Sequence, residues 1–223
     1  MTLGNVGRPS AAEFAGQRKL LLVPFVSAAA EEQDDGELRP LVERYWSEAA
    51  EQVGNLERQL GSVTRLYHEG AVAGGEAELA LLERANPAAY PFVKATVERG
   101  AELQATEDAE TLLEAIDLQR CLLVVQGSRA VAERLHEWLA DARKRRYDAI
   151  ARAVGDTLPP GGVGLLVISQ DHQVQFPPDV RVFYVAPPAL DQLDRWLRNR
   201  LSATAPTENA GAATDDVEAL ADG

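Results

Sequence analysis

Short apolar runs alternate along this chain with segments whose apolar residues recur every three or four positions, and that alternation restricts the fold more than any other feature. Residues 19–26, 62–69, 101–106, 120–125, 163–168 and 180–186 have the length and pattern of strands, with an extended link as the alternative for 101–106 and a continuing helix for 120–125. Helical patterns separate them. From Pro40 the positions Val42, Tyr45, Trp46, Ala49, Val53, Leu56 and Leu60 mark an amphipathic helix that Gly61 stops. A longer one runs from about 128 to 158. Ser128 is placed to cap it, Val131, Leu135, Trp138, Leu139, Ala142, Tyr147, Ile150, Val154 and Leu158 form its stripe, and Pro159-Pro160-Gly161-Gly162 ends it.

Strands joined through helices need crossover connections, so the expected fold is α/β: an open, mostly parallel sheet of four to five strands with helices on both faces and one unusually long helix. At 1.5 Å per residue that helix spans roughly 45 Å, more than a small sheet covers. Its middle is expected to project and to pack against a second copy. The expected division is a flexible N-terminus over 1–17, one α/β domain over 18–202 and a disordered acidic tail over 203–223. An acidic loop is expected at 27–38.

The net charge of the 223-residue chain is −13. Ten of its acidic residues lie in that loop and tail, and without them the balance falls to −3. Such a surface repels free nucleic acid, whose affinity comes mostly from phosphate neutralisation. One compact basic run, Arg143-Lys144-Arg145-Arg146, stands against this and is the candidate contact for RNA, a ribosome or an anionic partner. No apolar run is long enough to cross a bilayer, and Met1–Arg8 lacks a basic segment followed by an apolar one. A cytoplasmic location without a membrane partner is the expectation. Cys121 is the only cysteine, which excludes an intramolecular disulfide and a thiolate zinc cluster.

Familiar catalytic signatures are missing. Gly70 and Gly75 have the G-x-x-x-x-G spacing of a phosphate loop, but Glu76-Ala77 stands where Lys and Ser or Thr belong, and Glu69 adds a second negative charge. Nucleotide is therefore not an expected ligand. Neither a G-x-G-x-x-G fingerprint nor a G-x-S-x-G elbow occurs after a strand.

In open parallel sheets, ligands bind outside the carboxyl ends of the strands. Three polar groups are expected there: Tyr67-His68-Glu69, Gln126-Gly127-Ser128 and Gln170-Asp171-His172. Tyr67, Gln126, Gly127 and Ser128 are candidate ligand-binding residues, although Ser128 serves as well as a helix cap. His68, Glu69, Asp171 and His172, with Glu107 as a general base, are the candidate catalytic set. Among these, His68, Asp171 and His172 are candidate metal ligands, suited by type to Zn, Mn or Fe. A strand must end at His68 for Glu69 to share its side.

The segments Leu66-Tyr67-His68-Glu69, Lys144-Arg145-Arg146-Tyr147, Val174–Pro178 and Val182–Pro188 together resemble a family of bacterial cytoplasmic proteins with no assigned activity, over most of residues 19–201. The resemblance implies a bacterial cytoplasmic setting and no catalytic residue. The leading functional expectation is a non-catalytic binding or regulatory protein that acts through contacts with a protein partner or with itself. A metal-dependent hydrolase is the first alternative and a ribosome- or RNA-associated factor the second. No cofactor is expected under the first reading, and a divalent metal under the hydrolase alternative.

Overall fold

A computed structural model describes residues 16–27, 36–124 and 127–204. The acidic tail beyond Thr204, most of the acidic loop, nearly all of the N-terminal segment and Gln126 lie outside the described residues. In chain order the elements are β1 (Arg18–Pro24), α1 (Leu38–Leu60), β2 (Val63–His68), α2 (Gly75–Ala85), α3 (Tyr90–Glu98), β3 (Glu102–Leu103), α4 (Ala109–Val124), α5 (Arg129–Thr157), β4 (Val163–Ile168), β5 (Val180–Tyr184) and α6 (Pro188–Thr204).

The five strands form one open, wholly parallel sheet in the order β3-β2-β4-β1-β5. β4 is inserted between the first two strands, and its six residues are all buried. That is why Val163–Ile168 is apolar throughout: both sides of a central parallel strand are covered. The weak edges are short, with two residues in β3 and five in β5.

Side chains of successive strand residues separate into two cores. Leu21 and Val23, Leu66, and Leu165 and Val167 face α1, α2, α3 and α6. Leu20 and Leu22, Tyr67, and Leu166 and Ile168 face the C-terminal half of α5, through Ile150 and Val154, together with Leu158 after it and Val174 and Phe176 of the segment between β4 and β5. One face thus carries four helices and the other half of one.

The rest of α5 leaves the sheet. At 1.5 Å per residue its 29 residues span about 44 Å. Its N-terminal half packs against α4 around a small core of Ala115, Leu139 and Ala142, with Leu118 and Leu122 partly buried beside it. We call this pair of helices the arm.

The arm corrects two sequence expectations. The described part of the 120–125 segment is not a buried strand but the alternative, a helix. Residues 120–124 continue α4, and Cys121, Leu123 and Val124 are exposed. Trp138, expected in the core, is 51% exposed, because no sheet lies beneath that part of α5. Trp46 is buried as expected and packs on Phe92 with ring centroids 5.4 Å apart. No helix among the described residues is long and apolar enough to cross a membrane.

Candidate functional site

The carboxyl ends of β2 and β4 are neighbours in the sheet, so the residues following them meet. β2 ends at His68, as a shared site with Glu69 requires, and the Glu69 N–H donates to the Val167 carbonyl at 2.9 Å. Glu69 then turns its carboxylate across to β4. Its Oε2 accepts from the Ser169 N–H at 2.8 Å and from the Ser169 hydroxyl at 2.6 Å, while Oε1 lies 3.4 Å from Nη2 of Arg146.

Arg146 binds a second carboxylate. Its Nη2 donates to Oε1 of Glu107 at 3.0 Å, and its Nε donates to Oε2 of the same group. The Glu107 side chain is completely buried, with Arg146 at 13% and Glu69 at 15% exposure. Glu107 Oε1 also accepts from the Gly70 N–H at 2.7 Å. A bidentate guanidinium bridge of this kind satisfies charges that would otherwise be too costly to bury. Burial opposes the charge on Arg146, but Glu107 and Glu69 outweigh it and raise the pKa.

This cluster ties three parts of the chain together. Glu69 follows β2, Glu107 precedes α4, and Arg146 sits at the middle of α5, where the arm leaves the sheet. Arg146 was expected in a basic contact run, but that run divides. Arg143 is exposed, Lys144 pairs with Asp148 at 2.7 Å, Arg145 pairs with Glu114 at 2.7 Å, and Arg146 is committed inside. Helical spacing explains the division, since successive residues point about 100° apart.

The glycine-rich turn closes on the same cluster. Its Gly70 amide donates to Glu107 and its Ala73 amide donates to Glu78 at 3.1 Å, so carboxylates of the chain itself hold donors that a phosphate loop would offer its ligand. The Thr106 hydroxyl donates to the His68 carbonyl at 2.6 Å, and the Thr106 and Glu107 amides both donate to the Ala71 carbonyl. Gly74 permits the tight approach. A Cβ there would lie 2.6 Å from the Leu103 carbonyl oxygen.

The two histidines at this edge, His68 at the end of β2 and His172 after β4, both feel the charge of Glu69, but their settings differ. His68 is 3% exposed; its Nδ1 is 2.6 Å from the Glu69 carbonyl and its ring meets Phe25 edge to face. Burial lowers its pKa below 6.5, against the opposing pull of Glu69 and Glu107. His172, in the β4–β5 loop, is half-buried, and Nδ1 accepts from the Val174 N–H at 3.3 Å. Burial lowers its pKa too, with Glu69 and Asp171 opposing.

A pH dependence follows from His68. The unfolded chain takes up this proton near 6.5, whereas the folded chain resists it to lower pH, so the stabilisation is complete above 6.5 and is lost as pH falls towards the folded value. Between pH 6.5 and 5 the stability of the natural chain should fall more steeply than that of His68→Gln, by up to about 1.4 kcal/mol per pH unit. Urea midpoints across that range check it; parallel slopes would contradict it.

Other expected site residues do not join the ion-pair cluster. Tyr67 points to the opposite core and its hydroxyl is 2.7 Å from that of Thr157. Gly127 and Ser128 lie at the tip of the arm, because the segment before them is helix rather than strand. Ser128 accepts from the Val131 N–H at 3.4 Å and caps α5. Asp171 is exposed in the β4–β5 loop. Among the described residues no three of His, Cys, Asp and Glu are placed to share a metal ion, and His68, Asp171 and His172 form no such group. A cleft of about 580 Å³ opens beside the cluster, lined by Asp108, Thr111, Arg145, Arg146, Asp148 and Arg152. Its acids and bases are mixed, and Asp108 is already engaged by the Thr111 amide and hydroxyl.

Comparison with known proteins found no match among family models, curated proteins or solved structures.

At the carboxyl edge the Glu69 and Glu107 carboxylates are paired, while His172 is half-buried and Asp171 exposed. The Ser169 hydroxyl donates to the Glu69 carboxylate, the Glu107 carboxylate is held by Arg146, and His68 is enclosed. The Arg146 bridge ties α5, at the point where the arm leaves the sheet, to the residues that follow β2 and precede α4. Sequence reasoning missed Arg146 in this role. The available signal was its place on the inward stripe Leu139, Ala142, Arg146, Ile150, at steps of three and four.

Proposed function

We propose that this is a non-catalytic binding or regulatory protein of the cytoplasm, and that the α4–α5 arm makes its protein contacts. The observation that carries this reading is the exposure of large apolar residues along the arm: Leu113 at 60%, Leu123 at 79%, Val124 at 76%, Val131 at 49% and Trp138 at 51%. Isolated exposed apolar residues are ordinary on a soluble protein. Five on two helices, beyond the reach of the sheet, make an element with too little core of its own.

The ion-pair cluster supports the same reading. A contact element held at a fixed angle loses less freedom when it binds. Arg146 bridging Glu107 and Glu69 at the root of α5 supplies that rigidity.

Affinity capture from extract of the source cells tests the reading. The full-length chain is compared with a Leu123→Asp, Val124→Asp double variant, whose substitutions are exposed and leave both sheet cores untouched. A stoichiometric partner protein should be recovered with the natural form and fall at least about tenfold with the variant. Equal recovery with both forms would refute the arm as the contact element.

A further inference from the structure

Resting on that reading of the arm, we propose that the flank of α5 centred on Trp138 is a self-association surface, on which α5 of a second copy packs antiparallel across a two-fold axis. Helical spacing places Val131, Arg134, Trp138, Asp141 and Arg145 on this flank, at steps of three, four, three and four, beside the seam that meets α4. Trp138 and Val131 are each about half exposed there. An indole carries one of the largest apolar areas of any side chain, and pairs of aromatic rings attract beyond the area they bury.

Charge selects the partner and its direction. Arg134 stands one turn before Trp138 and Asp141 one turn after it. When a second α5 lies antiparallel and centred on the same tryptophan, Arg134 of each copy falls within one residue, about 1.5 Å along the axis, of the level of Asp141 in the other. Two symmetric ion pairs then bracket the two indoles. Parallel pairing would instead set arginine against arginine and aspartate against aspartate, so the arrangement discriminates against it. Every contact made by one copy is returned by the other, as a two-fold interface demands.

The neighbouring charges fit. Arg134 donates to Glu137 at 2.8 Å, with both side chains 64% exposed, and a guanidinium has donors enough to keep that contact while reaching a partner. Arg145 is balanced by Glu114 of α4 at 2.7 Å and adds no unmatched positive charge. Two arms joined this way make a four-helix arrangement, which gives each thin two-helix core a second layer.

The purified full-length chain is examined by sedimentation over a concentration series. An interface confined to the arm belongs to the weak class, so the mass should rise from 24.1 kDa to twice that value with a midpoint of order 10 µM. Arg134→Asp and Asp141→Arg should each weaken association about tenfold or more, and the combination of the two should restore it, because the pairs are rebuilt with their signs exchanged. Unchanged helicity by circular dichroism shows that the variants remain folded.

A monomer at every concentration overturns the proposal, as does a dimer indifferent to both reversals. A monomer that still loses its extract partner in the Leu123→Asp, Val124→Asp variant overturns self-association and leaves the arm as a contact element for a different protein. If instead the chain dimerises with restoration by the combined charge exchange, both readings stand.

Discussion

Replacing Arg146 with methionine should destabilise the folded chain by about 3–5 kcal/mol, because it leaves a buried carboxylate without its counter-charge. The Glu107 side chain is wholly buried, and among the described residues its oxygens meet, beyond Arg146, only the Gly70 amide. Glu69 would suffer less, since Ser169 continues to donate to it twice. For a chain of this size the loss corresponds to a fall of roughly 10 °C in Tm. Adding Glu107→Gln should recover at least half of it: the neutral amide still accepts from Gly70 and carries no charge to be compensated. Thermal melts of the two forms decide the matter. If the single and double variants lost equal stability, the charge pairing would not be what holds the cluster. An Arg146→Met loss below about 1 kcal/mol would place these residues with ordinary surface pairs.

The second large effect separates the two ends of α5. Leu166, fully buried on the central strand, packs with Ile150, Val154 and Leu158 at the base of the helix. Leu166→Ala should cost about 3–5 kcal/mol, since close-packed neighbours on both sides limit collapse into the cavity. Leu139 is nearly as buried, yet its cluster holds only Ala115 and Ala142 as buried companions. Leu139→Ala should cost no more than about 2 kcal/mol, because so thin a core can relax around the gap. Denaturant unfolding of both variants measures this directly. Equal losses would mean that the arm has a core as firm as that of the sheet.

The same contrast explains what was legible in the sequence. Segments with an unbroken apolar run or a sustained helical period announced themselves: the all-apolar β4, the stripe of α1 and the long α5 all follow from period and punctuation. Residues 120–125 did not. A short apolar run satisfies strand and helix templates alike, and only the finding that Leu123 and Val124 are exposed helical residues shows why it was apolar without being buried.

The candidate site was legible in its parts and not in its wiring. Placing His68, Glu69 and His172 at the ends of parallel strands required only the strand–helix alternation. The link to Arg146 lies 77 residues from Glu69 and 39 from Glu107, and it depends on β4 being inserted beside β2, an order that no local pattern encodes. The basic run misled for a related reason. Four adjacent charges look like one feature along the chain, whereas a helix distributes them around its circumference.

Hydroxyl-radical footprinting of the full-length chain, alone and in the complex recovered from cell extract, probes the central claim most directly. Protection upon assembly should fall on Leu113, Cys121, Leu123 and Trp138, with His172 and the other residues around the carboxyl edge reacting equally in both states. Protection of His172 and Phe176 with an unchanged Trp138 would contradict it, and would move function from the arm to the sheet.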